Sequence, residues 1–110
     1  MPIKAGEIYT QRLNLRKAEY ARPLLVLRVN ATEADICCFS RSFPLKKPAD
    51  LTIHALDSSF RATGLSEESY LVADSVHGEP IEFFKGAALI GTVTNEIKRQ
   101  IEDWWGAPLA

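Results

Sequence analysis

The stretch "RPLLVLRVN", Arg22 to Asn30, contains the uninterrupted apolar run Leu24, Leu25, Val26, Leu27. A short apolar run bounded by turn signals reads as a buried strand, and "NATEAD" follows it as a cluster of turn formers. Immediately before the run stand a permanently charged guanidinium, Arg22, and a residue with no N–H, Pro23. Proline is tolerated at the first residue of a strand. One reading of the pair is therefore punctuation, with Arg22 left in solvent. The other is that the strand entry aims the guanidinium at something.

Working outward, "GEIYTQRLNL" alternates, with Ile8, Thr10 and Arg12 on one side and Tyr9, Gln11 and Leu13 on the other. That is a strand pattern, opened by Gly6. "RKAEY" reads as a polar connection to the apolar strand, and "ICCFS" as a short strand that closes a hairpin after "NATEAD". "SFPLKKPAD" is a loop marked by Pro44 and Pro48, and "LTIHAL" alternates again. "DSSFRATG" is turn-rich, "SYLVADSV" is a short strand ended by "HGEP", and "GAALIGTV" is the last strand. A helix over "IEFFKGAALIG" is disfavoured by its glycines.

The tail differs in kind. In "TNEIKRQIEDWWG", Ile97, Ile101 and Trp104 or Trp105 recur at helical spacing, with Val93 one turn earlier. Thr94 can cap the helix, Glu96 suits its first turn, and Lys98 and Glu102 are four apart. Gly106 and Pro108 end it, and the tryptophans read as packing anchors. The expected fold is mainly β with a C-terminal α-helix: a small barrel or tightly curled sheet whose open side the helix covers. A chain of 110 residues predicts one domain, 1–110.

Composition is ordinary for a globular chain, at 46% hydrophobic and 25% charged, and the formal net charge of −1 excludes a global basic field. The charge is uneven, since Arg and Lys crowd the first half while acids gather in "LSEESYLVADSVHGEPIEF". Adjacent Cys37 and Cys38 would point to opposite faces of a strand, which disfavours an ordinary disulfide between them. They fit neither a metal motif nor a secreted disulfide framework. With no apolar leader and no segment of membrane-spanning length, the expectation is a soluble cytoplasmic protein without a membrane partner. The chain contains no Gly-rich phosphate loop, zinc spacing or nucleophile elbow.

Taken in order, "KAGEIYTQRL", "RPLLVLRV", "ICCFSRS", "TGLSEESYLVADSV" and "IGTVTNEIKRQIEDWWG" resemble the motifs of the MazF/PemK family of toxin ribonucleases. The resemblance runs over nearly the whole chain. It implies an SH3-like barrel, a homodimer, and metal-independent endonucleolytic cleavage of single-stranded RNA with no cofactor. It also implies a cognate antitoxin protein that blocks the RNA groove. For the dimer, the hairpin side or the helix surface is the expected interface, with Trp104 or Trp105 as its anchor.

Such cleavage uses the 2′-hydroxyl as nucleophile on the adjacent phosphorus. A base takes its proton, an acid protonates the departing 5′-oxygen, and fixed cations stabilise the phosphoryl charge. Carried over residue by residue, the resemblance implies that Arg22 is the phosphate-stabilising group, a role its planar fork suits. It places Ser42, or alternatively Ser40, on the catalytic hydroxyl and Asp74 on the acid/base carboxylate. A strand-end turn is the alternative role for Asp74. Arg28, Ser40, Arg41, Lys46 and Lys47 are the residues expected to bind RNA.

The chain departs from the family pattern at several points. Arg28 stands where a serine is frequent, Val72 where some relatives carry arginine, and the connection "NLRKAEY" retains Glu19 as its carboxylate. These departures support an alternative: a catalytically inactive member of the same fold that binds a peptide or nucleic acid. His54 reads as a hydrogen-bonded sheet histidine, and His77 as a turn residue with a possible acid/base share.

Overall fold

The computed structural model describes residues 2–15 and 18–110, and the side chains of residues 12–21 lie outside that description. Among the described residues the chain is mainly β, with a curled antiparallel sheet and one C-terminal helix. The strands are β1 (Glu7–Leu15), β2 (Ala18–Val29), β3 (Glu33–Ser40), β4 (Leu51–Ile53), β5 (Ser69–Leu71), β6 (His77–Pro80) and β7 (Ala88–Thr92), followed by α1 (Asn95–Trp105). Their order across the sheet is β4-β5-β3-β2-β1-β7, with β6 also paired to β3.

The apolar run sits at the centre of this sheet, between β1 and β3, and its four side chains divide between two cores. Leu25 and Leu27 join Ile8, Phe39, Ile53, Leu71, Ile97 and Ile101 in the main core. Leu24 and Val26 pack with Tyr9, Ala34, Ile36 and Phe84 on the other side. The segment Ile81–Phe84, a short 3-10 turn, covers that second face. A strand buried on both faces has no reason to alternate, and that is why this one does not. Truncating a fully buried member such as Ile101 to Ala costs about 2–5 kcal/mol.

Helix α1 covers the open side, as expected. Ile97 and Ile101 insert into the main core, with Trp104 and Trp105 packed against it. The Trp104 indole N–H donates to the Ala49 carbonyl at 2.6 Å, tying the helix to the segment before β4. Gly106, at φ 83°, ends the helix and donates its N–H to Glu102 O. Thr94 stands at the N-cap but its hydroxyl makes no capping bond. No described helix is long and apolar enough to cross a membrane.

Several element readings change. The connection "RKAEY" is largely strand, because β1 and β2 pair as far as Leu15↔Ala18; Arg16 and Lys17 between them lie outside the described residues. "HGEP" is not an end but a strand, pairing with the first half of β3 from Glu33↔Pro80 to Ile36↔His77. "SYLVADSV" is broken instead, by a 3-10 turn at Ala73–Ser75. At that break the Ser75 hydroxyl accepts the Cys38 N–H at 2.8 Å and donates to Val72 O at 2.7 Å. A side chain thus satisfies a β3 amide where no strand faces it. "LTIHAL" is strand only over Leu51–Ile53, and His54 is exposed beside Glu68 at 3.5 Å.

Candidate functional site: a groove at the fork of two strands

β2 and β3 run together until Leu24↔Cys38, the last pair of their ladder. Beyond it β2 continues beside β1, with Pro23 opposite Thr10 and Arg22 opposite Gln11. β3 turns away to pair with β5, through Phe39↔Leu71 and Ser40↔Tyr70. Pro23, which has no N–H to donate to a ladder, stands where the strands part. The fork opens a groove of about 590 Å³ lined by Arg22, Pro23, Ser40, Arg41 and Ser42 together with Glu67 and Ser69.

The hydroxyls are held by local geometry. Ser40 ends β3, and its Oγ accepts the Ser42 N–H at 3.3 Å. Tyr70 donates its hydroxyl to Ser42 O at 2.9 Å, and its ring meets Phe43 edge-on at 5.2 Å. The serine that follows the strand is therefore fixed to β5. Arg41 forms a hydrogen-bonded ion pair with Glu67, and both side chains are more than half exposed. Buried Ser69 donates to the Glu67 carbonyl at 3.0 Å, which steadies the turn carrying that carboxylate.

The expected site residues divide into two groups. Arg22, Ser40, Arg41 and Ser42 come together, although Arg22 comes from β2 and the other three from the end of β3 and the segment after it. Asp74 does not line the groove; its carboxylate accepts from Lys47 Nζ at 3.0 Å in an exposed pair, which raises the Lys47 pKa. Lys46 and Lys47 follow the 3-10 turn Phe43–Leu45 and flank buried Asp50 rather than the groove. Arg28 lies at the other end of β2, roughly 20 Å along an extended strand from Arg22. There its guanidinium covers the Trp105 ring at 5.1 Å. The Glu19 side chain is outside the described residues.

Asp50 organises the loop beneath Lys46 and Lys47. Its carboxylate accepts the Lys47 and Ala73 N–H groups, each at 2.9 Å. Burial pushes its pKa up, but the two N–H donors and the neighbouring lysine charges outweigh that and hold it below the ordinary value. The thiols are both free and buried. Burial pushes Cys37 up to about 12. Burial also raises Cys38, against the downward pulls of the Ser75 hydroxyl and the nearby Arg22 guanidinium. Protonated buried thiols are poor nucleophiles. Among the described residues no three His, Cys, Asp or Glu side chains stand together as a metal-holding group.

Glu67 and Ser69 were not legible as groove residues. Their turn reaches the fork only because β5 pairs with the outer half of β3, a contact distant in sequence. No family model matches this chain, and no curated protein matches it.

Proposed function

We propose that this protein is a toxin-type endoribonuclease that cleaves single-stranded RNA by internal attack of the 2′-hydroxyl, and that a cognate antitoxin covers its groove. The observation that carries this reading is the convergence on one groove of Arg22 from β2 with Ser40 at the end of β3 and Arg41 and Ser42 just after it. Two guanidinium groups and two hydroxyls within a concave wall make a phosphodiester site. In this reading Arg22 stabilises the charge on the phosphoryl oxygens, Ser42 hydrogen-bonds the reacting phosphate, and Arg41 and Ser40 position the strand. The 2′-hydroxyl loses its proton to a base and its oxygen bonds to phosphorus, while the P–O5′ bond breaks and the departing 5′-oxygen takes a proton from an acid. The products are a 2′,3′-cyclic phosphate and a free 5′-hydroxyl. A homodimer is part of the proposal, since one chain offers few acid/base groups.

One observation favours a second reading, a binding module for nucleic acid or peptide without catalysis. The carboxylate lining the groove is Glu67, already paired with Arg41, while Asp74 is paired with Lys47 away from it. Incubating the purified protein with a long single-stranded RNA, with and without chelator, separates the two. Cuts that persist in chelator and end in cyclic phosphate support the nuclease. Retained RNA binding with no cuts across a broad panel supports the binding module, and neither binding nor cuts overturns both nucleic-acid readings.

A further inference from the structure

Beside the fork groove lies a second recess of about 260 Å³. The two cavities share Pro23, Arg41 and Ser69 as walls, so they form one continuous depression. Their chemistry differs. The first sets two guanidinium groups, three serine hydroxyls and the Glu67 carboxylate beside Phe39 and Pro23. Leu65 and Ile90 give the second apolar faces alongside the Pro23 ring, and Thr10 and Ser66 supply hydroxyls. Apolar walls with a few placed polar groups are the make-up of a small-ligand site, and this volume falls just below the usual lower bound of about 300 Å³. It has room for one ring system.

The recess is held rigidly. Thr10 is fixed from both sides, pairing with Pro23 of β2 and with Ala88 of β7. The opposite wall is the turn at Thr63–Leu65, pressed onto β7 so closely that a Cβ at Gly64 would stand 2.0 Å from Ile90 O. On β7 a Cβ at Gly91 would stand 2.2 Å from the Thr63 carbonyl carbon. Leu65 is buried and anchors the turn just before Ser66. A pocket whose walls are already in place loses little entropy on binding.

We infer that this recess is a base-reading subsite: it receives one unpaired nucleobase of a strand whose adjoining phosphate lies in the fork groove, with Thr10 and Ser66 hydrogen-bonding the edge of that base. The inference rests on the nucleic-acid reading of the groove and adds to it the residues that set sequence preference. Unpaired bases are recognised by packing of the ring against side chains and by hydrogen bonds to its exposed edges. The apolar walls serve the first purpose, and the two hydroxyls serve the second. Arg41, common to both cavities, stands at the junction where the phosphate joins the nucleoside.

The test is fluorescence anisotropy with short 2′-O-methyl oligonucleotides, which lack the attacking hydroxyl, differing at one base, together with an oligomer abasic at that position. The unaltered protein should discriminate between best and worst base by about tenfold or more. Ser66→Ala and Thr10→Val should reduce that spread to within about threefold while leaving the abasic oligomer's affinity within about twofold. Ser66→Leu, which fills an exposed rim without touching the core, should weaken base-bearing oligomers and spare the abasic one. Base preference unchanged in all three variants, with RNA binding intact, overturns the subsite and leaves the groove reading standing. Equal loss for base-bearing and abasic oligomers also overturns it, because the residues would then serve the backbone. If the unaltered protein binds no oligomer, the groove reading fails and the subsite falls with it.

Discussion

Leu24 and Cys38 form the last pair of the β2–β3 ladder, and the groove opens directly beyond them, with Arg22 and Pro23 on one branch and Ser40 on the other. If the guanidinium acts on a transition state here, Arg22→Ala lowers the cleavage rate by roughly two orders of magnitude or more while the fold persists. Arg22→Lys keeps the charge without the planar fork and should recover only part of the rate. Single-turnover cleavage on folded variants measures both. A parental rate in Arg22→Ala would return Arg22 and Pro23 to strand punctuation.

Gly64 and Gly86 both have positive φ, at 74° and 87°, but only Gly64 is pressed against backbone. Gly86→Ala meets nothing within 4 Å and should cost only the conformational strain, about 1 kcal/mol. Gly64→Ala must also push its turn off β7, so it should cost about 3 kcal/mol or more. Urea melts of the two variants, side by side, give the contrast. Equal costs would mean that the turn yields easily and does not form a rigid wall.

The lowered pKa of Asp50 makes the fold acid-sensitive at a definite place. Its contribution to stability is full above the unfolded carboxylate value of about 3.9 and is lost as pH falls through the lower folded value. Asp50→Ala, which leaves the Lys47 and Ala73 N–H groups without their acceptor, should cost about 2 kcal/mol at neutral pH. Asp50→Asn should flatten the loss of stability as pH falls below about 4. Denaturation midpoints across that range decide it, and a parallel acid slope in Asp50→Asn would place the sensitivity elsewhere.

Thr94 has the residue type and position of an N-cap, yet its buried Oγ1 finds no hydrogen-bond partner among the described residues. Loss of a working threonine cap costs about 1 kcal/mol. Thr94→Val, which removes an unsatisfied hydroxyl of the same shape, should instead change stability by less than about 0.5 kcal/mol or raise it. A thermal melt showing a full cap penalty would mean the hydroxyl is bonded in solution.

The parts of the fold that depend on local pattern were readable from the residues. The Leu24–Leu27 run announced a buried strand, and the Val93, Ile97, Ile101, Trp104 spacing announced the helix that covers the sheet. What escaped was settled by partners far along the chain. "HGEP" lacks any strand propensity and pairs because β3 offers an open edge at Glu33–Ile36. Ser40, Arg41 and Ser42 were readable as candidates through their resemblance to a known order of motifs. Glu67 was not, because only the β3–β5 pairing carries its turn to Arg41.

The pairing of β1 with β7, from Glu7↔Thr92 to Thr10↔Ala88, joins residues from nearly opposite ends of the sequence. The β1–β2–β3 meander can form early from neighbouring segments, but the outer edge of β1 must wait for a partner synthesised 78 to 85 residues later. Distant pairings of this kind slow folding. Thr10 gains its second ladder, and the Gly64 turn its support, only when that last strand arrives. A nascent chain halted before Ala88 would therefore carry every residue that lines the fork groove but lack the Ile90 wall of the recess beside it, so the depression is completed only at the end of synthesis.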